Sequence, residues 1–329
     1  MIDNAAKLSN DIFSPDIKKA STRDGFGKGS VEAGKKDSNV VVLSADLAES
    51  TRADWFQEEF PDRFIEVGVA EQNMATVAAG MANYGKIPFI TSYAAFSPGR
   101  NYEQIRTTVA LNNVPVKVCG MHAGVSVGPD GATHQMLEDI SMMRALPNMD
   151  VIVPADAEEG RKATLAVATS GKPAYVRFGR SNVPIFTTTE TPFTIGKAYF
   201  LWKSEKPDVT IIGCGALVYE ALLAAKKLEE KGVHVSVINS HTVKPLDSET
   251  ILAEVKKAGA VVTVEEHQVA GGFGSAVAEL LVQHIPVPVE FVGMKDEFGQ
   301  SGEPDELIKH YHLDAHGIVE AVERVLKRK

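Results

Sequence analysis

The chain reads as an α/β protein of two doubly wound domains with mostly parallel sheets. Three observations predict this: short β-branched apolar runs of strand length, helical periodicity between them, and 329 residues, enough for about two domains. Val40 to Leu43, Ile87 to Ile90, Val114 to Val118 and Val151 to Val153 are short and β-branched, as buried strands should be. Helical spacing fills the intervals. In Glu71 to Tyr84, Met74, Val77, Ala78 and Met81 share one face, and similar patterns run from about Tyr102 to Leu111 and from Glu158 to Thr169. Strands alternating with helices imply right-handed crossovers and a parallel sheet covered on both sides. The pattern stops near Asn182. Thr187-Thr-Thr-Glu-Thr-Pro192 is too polar and β-branched for a helix and is broken by proline, so 186–194 is read as a linker. A second series follows: strand Val209 to Ile212, helix Leu217 to Glu230, strand Val233 to Ile238, helix Asp247 to Lys257, strand Val261 to Val264 and helix Phe273 to His284. The tail, Asp305 to Arg328, is helical with a break near Leu313. The expected division is an N-terminal extension (1–19), a first domain (20–185), the linker, and a second domain (195–329).

Composition removes several classes of function. With 34 basic and 43 acidic residues the formal net charge is −9, the wrong sign for a protein that neutralises nucleic-acid phosphates. No apolar stretch approaches the roughly 18 residues of a membrane span, and the first residues lack a secretory pattern. Cys119 and Cys214 are far apart and each sits in an apolar run, which suits two buried thiols in a reducing compartment. The expectation is a cytoplasmic protein with no nucleic-acid or membrane partner.

Gly213-Cys-Gly215 follows a strand and opens a helix, but Val218 stands where a dinucleotide fingerprint needs its third glycine. Asn239 stands where the ribose-binding acid belongs, so the glycines are read as a tight turn. His310, His312 and His316 cluster without any known ligand spacing and are read as surface residues, so no metal site is expected within the chain. His267, in Glu265-Glu-His-Gln268, either lines a cleft or caps a turn. His122 and His134 lie in glycine-containing loops after a strand, where parallel sheets place ligands. Glu71 begins an apolar-faced helix; it complements the helix dipole or is a carboxyl in an apolar pocket. Asp46 and Arg180 each lie just past a strand end, Arg180 being either a solvated charge or an anion clamp.

Ser44-Ala-Asp-Leu47, Val67-Gly-Val-Ala-Glu-Gln-Asn-Met74, Thr91 to Phe96, and Gly128-Pro-Asp-Gly-Ala-Thr-His-Gln135 with Pro147-Asn-Met149 together resemble the carboxyl-terminal half of the transketolase family. The resemblance covers about residues 20 to 329 and implies a pyrimidine-binding domain followed by a C-terminal domain. It implies that Glu71 hydrogen-bonds N1′ of the thiamin aminopyrimidine and stabilises the tautomer that removes the C2 proton. Phe96 and Tyr102 match aromatics packed on that ring, with Gly99 where a third is expected, and Asp46 matches an acid near the cofactor-facing subunit contact. His122 and His134 match histidines that bind sugar hydroxyls and move protons. Asp130 matches an aspartate that reads a substrate hydroxyl, and Arg23, Ser50 and Arg180 match positions that hold the substrate phosphate.

The family's Gly-Asp-Gly motif, which with a downstream Asn holds the diphosphate and a divalent metal, does not occur in the chain. The resemblance therefore implies a split enzyme of the pentose phosphate pathway, moving two-carbon ketol units between sugar phosphates. This chain would share thiamine diphosphate with a separate amino-terminal subunit that also holds Mg²⁺, in a heterotetramer. The rival expectations are a 1-deoxy-xylulose-5-phosphate synthase, which has arginine in place of His122, and a 2-oxo acid dehydrogenase E1 β subunit, which lacks Asp-Gly-x-Thr-His. A further rival is a non-catalytic protein that keeps the fold.

Overall fold

The computed structural model describes residues 1–329. Its larger sheet has seven strands in the order Thr242–Lys244, Asp150–Ile152, Ala174–Arg177, Lys117–Met121, Ile87–Tyr93, Val40–Ser44 and Phe64–Glu66. All pairs are parallel except the first, where Thr242–Lys244 runs antiparallel to Asp150–Ile152. The second sheet orders Val289–Met294, Val261–Gln268, Val209–Gly213, Val235–Asn239 and Tyr199–Trp202, again parallel except for the last strand. Both domains are thus doubly wound.

Alternation explains why the strands carry no polar face. Val40 and Val42 pack toward the helices Thr22–Lys36 and Ala157–Thr169, whereas Val41 and Leu43 pack toward the helix Glu71–Asn83. The first two helices cross almost in contact. A Cβ on Gly25 would stand 2.1 Å from the Ala157 carbonyl oxygen, so glycine is required there. That crossing fixes the start of Thr22–Lys36, where Ser21 and Asp24 form a capping box and Arg23 projects from the first turn.

One apolar core continues across the domain boundary, joining Met74, Ile90 and Val118 to Ile212, Ile251 and Phe273. The residues before the first helix pack on the second domain through Ala6, Ile12 and Ile17. The segment 186–194 is not loose chain. The buried Asp156 carboxylate accepts hydrogen bonds from the Phe186 and Thr187 amides and the Thr187 hydroxyl, and this anchors polar residues the sequence reads as a linker.

Several elements differ from expectation. The strand expected at Val114 to Val118 lies at Lys117–Met121, because its register is set by Ile87–Tyr93 and Ala174–Arg177. The helix expected from Tyr102 to Leu111 is α-helical only over Tyr102–Gln104 and becomes a π-helix over Ile105–Ala110. The tail breaks as expected, into Pro304–His310 and Ala315–Leu326, with Leu313 buried between them. Both cysteines are free and buried, and no helix is long and apolar enough to cross a membrane.

Candidate active site

The carboxyl ends of Val40–Ser44, Ile87–Tyr93, Lys117–Met121 and Ala174–Arg177 bring one group of side chains together, as parallel sheets do for their ligands. The Tyr93 ring lies 4.0 Å from the His122 imidazole and stacks at 5.8 Å on Phe96. His134 meets both aromatics edge-on, at 5.9 and 5.4 Å. His122 follows the last residue of its strand with φ at +55°, a left-handed conformation that costs energy outside glycine and recurs at functional sites.

Beside this group, Glu71 begins its helix with its side chain only 2% exposed. Arg100 Nη1 donates to both carboxylate oxygens, at 2.9 and 2.8 Å, and its guanidinium lies 4.6 Å from the Phe96 ring centre. Asn101 donates to the Glu71 carbonyl and so ties the two segments. Glu71 thus stands in the first turn of its helix and is also buried, paired with an arginine rather than enclosed by apolar side chains alone.

The other flank is cationic. Arg23 Nη1 donates to the Ser50 carbonyl at 2.6 Å and approaches His122 Nε2 at 3.3 Å. A guanidinium has no acceptor, so Nε2 is the accepting nitrogen and the ring proton sits on Nδ1. That Nδ1 is buried and has no partner. The His122 pKa is pushed down to about 3, by burial first and then by Arg23, Arg180, Arg52 and His134, so the ring is neutral at ordinary pH. Arg23 itself is lowered, by burial and then by Arg52. Arg52 is held on Asp24 at 2.7 Å, and Arg180 donates to the Val127 carbonyl at 3.0 Å.

The sequence candidates divide accordingly. Glu71, Phe96, His122, His134 and Arg23 meet in this group, with Ser50 presenting its carbonyl rather than its hydroxyl and Arg180 close enough to perturb His122. Asp130 is exposed on the loop between Gly128 and Gly131, and Asp46 is exposed with φ at +60°, its amide on Glu66. Tyr102 is half-buried, with its hydroxyl donating to the Met142 carbonyl. His267 neither lines a cleft nor meets solvent; it is buried between Glu265 and Asp139. His310, His312 and His316 are exposed, and no cluster of three metal-ligating side chains occurs in the chain. Tyr93, Arg100 and Arg52 are additions; of these only Tyr93 carried a signal, as an aromatic ending an apolar strand.

Residues 18–185 match the family model for the transketolase pyrimidine-binding domain, and 197–318 that for the transketolase C-terminal domain. The chain belongs to the transketolase family. It is 42% identical to the 6-deoxy-6-sulfo-D-fructose transketolase subunit SqwH of Clostridium sp. strain MSTE9, over 91% of this chain and 92% of that one. It is 36% identical to an apulose-4-phosphate transketolase subunit of Phocaeicola vulgatus, over 91% and 95%. A solved structure described as a split gene transketolase, inactive beta4 tetramer, superposes with a TM-score of 0.87 at 43% identity, covering 93% of this chain and 98% of that one. These transketolase-family relatives are themselves subunits of the same length class.

Proposed function

We propose that this chain is the pyrimidine-side subunit of a thiamine-diphosphate-dependent split transketolase that moves two-carbon ketol units between sugar phosphates. The observation that carries the reading is a buried carboxylate, Glu71, beside a flat aromatic face, Phe96, with two histidines on the same aromatic pair. These residues fit the ring end of the cofactor: a carboxyl to share a proton with a ring nitrogen, and an aromatic face for a heterocycle. They do not offer a diphosphate cage, because the chain lacks Gly-Asp-Gly. The reading therefore assigns the diphosphate and Mg²⁺ to a partner amino-terminal subunit.

When bound, thiamine diphosphate supplies an electron sink for cleaving a carbon–carbon bond beside a carbonyl. Glu71 would hold the ring end by sharing a proton with a ring nitrogen, which requires its carboxylate to be released from Arg100. Neutral His122 donates from Nδ1 to a sugar oxygen, its tautomer held by Arg23. His134, hydrogen-bonded through Nδ1 to the Thr133 hydroxyl at 2.8 Å, moves a proton at the reacting carbonyl. Arg23 and Arg180 bind the terminal phosphate, with Ser50 fixing Arg23, and Asp130 reads a hydroxyl of the sugar. Asp46, exposed beside Glu66, is assigned to the subunit contact on this reading.

The test mixes this chain with a chain of similar size carrying Gly-Asp-Gly, and measures thiamine diphosphate binding and ketol transfer from xylulose 5-phosphate. Saturable cofactor binding by the mixture and transfer to an aldose phosphate are expected. Turnover of pyruvate instead would replace this reading with a synthase or an oxo-acid dehydrogenase. Tight cofactor binding and turnover by this chain alone would remove the split-subunit reading.

A further inference from the structure

The loop that carries His122, Asp130 and His134 is moulded against the second domain at two places. Gly124 has φ at +91°, and a Cβ there would stand 2.3 Å from Oε1 of Glu266, whose carboxylate accepts the Ser126 amide at 2.6 Å. Gly131 faces Ser301, and Gly128 faces the Gly302 carbonyl and the Pro304 ring at 3.2 Å. Between these contacts lies Gln135, 3% exposed. Its amide nitrogen donates to the carbonyls of Val125 at 3.1 Å and Gly128 at 3.3 Å, and to that of Gln300 at 3.0 Å. One side chain thus ties both ends of a short turn in the first domain to a segment of the second.

We propose that Gln135 is a positioning residue through which the second domain sets the geometry of the substrate loop. The amide has two protons for three carbonyls, and with the side chain only 3% exposed little water can replace it, so breaking this tie frees the turn rather than exchanging one bond for another. The turn leads directly into Asp130 and His134, so its displacement moves a hydroxyl-reading carboxylate and a proton-moving imidazole together. The catalytic consequence rests on the ketol-transfer reading; the mechanical one does not. The second domain then contributes to the chemistry without presenting a group to the substrate.

Two variants test this. Gln135→Leu keeps the volume and removes the donors. Gly299→Ala leaves Gln135 intact but puts a Cβ 2.1 Å from its Oε1, pushing the amide off its carbonyls. In the full chain, hydrogen exchange of amides 124–134 should quicken about tenfold in both variants, while the sheet amides stay protected. In the reconstituted enzyme, kcat should fall about 10- to 100-fold and the preference for one ketose phosphate over its epimer should narrow, with cofactor affinity unchanged. A purely structural role would lower the melting temperature without moving epimer preference. Unchanged loop exchange in both variants overturns the proposal, and so does wild-type kcat and epimer preference. Absence of ketol transfer in the wild-type complex strikes the functional reading instead, and loop exchange still decides the positioning role.

Discussion

Replacing Arg100 by alanine separates the two demands placed on Glu71. The guanidinium donates to both oxygens of a carboxylate that is 2% exposed, while its own side chain is 47% exposed. Removing one partner of a fully buried ion pair costs about 3–5 kcal/mol. Here the arginine is half in water, and its departure opens a path for solvent to the acid, so the screened cost is about 1–2 kcal/mol. On the proposed reading, the same contact must be broken for a cofactor ring to reach Glu71 and lie on Phe96. By the thermodynamic cycle, what the free subunit loses the cofactor no longer has to overcome. Arg100→Ala should therefore lower the melting temperature by a few degrees and tighten thiamine diphosphate binding to the reconstituted complex by about 5- to 30-fold. Calorimetric titration of the complex and thermal unfolding of the subunit read the two effects. Weaker cofactor binding with an unchanged melting temperature would refute the reasoning, since Arg100 would then be helping the cofactor rather than occupying its place.

Glu71→Gln keeps the shape of the acid and removes its charge; ketol transfer should fall at least about 100-fold while the two subunits still associate, and turnover within twofold of wild type would dismiss Glu71 as the ring-facing acid. The pKa of His241 is pushed down to about 3 by burial alone, so its unfolded form takes a proton near pH 6.5 while the folded form stays neutral. Stability is consequently lost as pH falls from 6.5 toward 3, and His241→Phe should flatten that part of the urea-midpoint profile; an unchanged slope counts against it. Asp156→Ala strips the Phe186 and Thr187 amides, the Thr187 hydroxyl and the Glu159 amide of their acceptor, and should cost about 2–4 kcal/mol in urea unfolding.

The alternation of strands and helices was legible because buried parallel strands need unbroken β-branched runs such as Val40 to Leu43. Thr242–Lys244 was not: three residues form a strand only because Asp150–Ile152, some 90 positions earlier, offers an open edge. His122 and His134 were legible as glycine-flanked histidines after a strand. The burial of Glu71 was not, since it depends on Arg100 and Asn101, which reach it from 29 and 30 residues away. Arg100 itself, after Gly99 in a polar turn, has the local signature of a solvated charge.

Thr242–Lys244 also constrains how this polypeptide can be divided. A fragment ending near residue 190 would keep the side chains gathered around Tyr93 and His122 and still lack an edge strand of its sheet. The amides and carbonyls of Asp150–Ile152 on that side would lie bare, a template for pairing with a stranger. Engineers seeking a minimal thiamin-ring module from this scaffold should therefore graft an edge-capping hairpin there, or expect a fragment that associates with copies of itself.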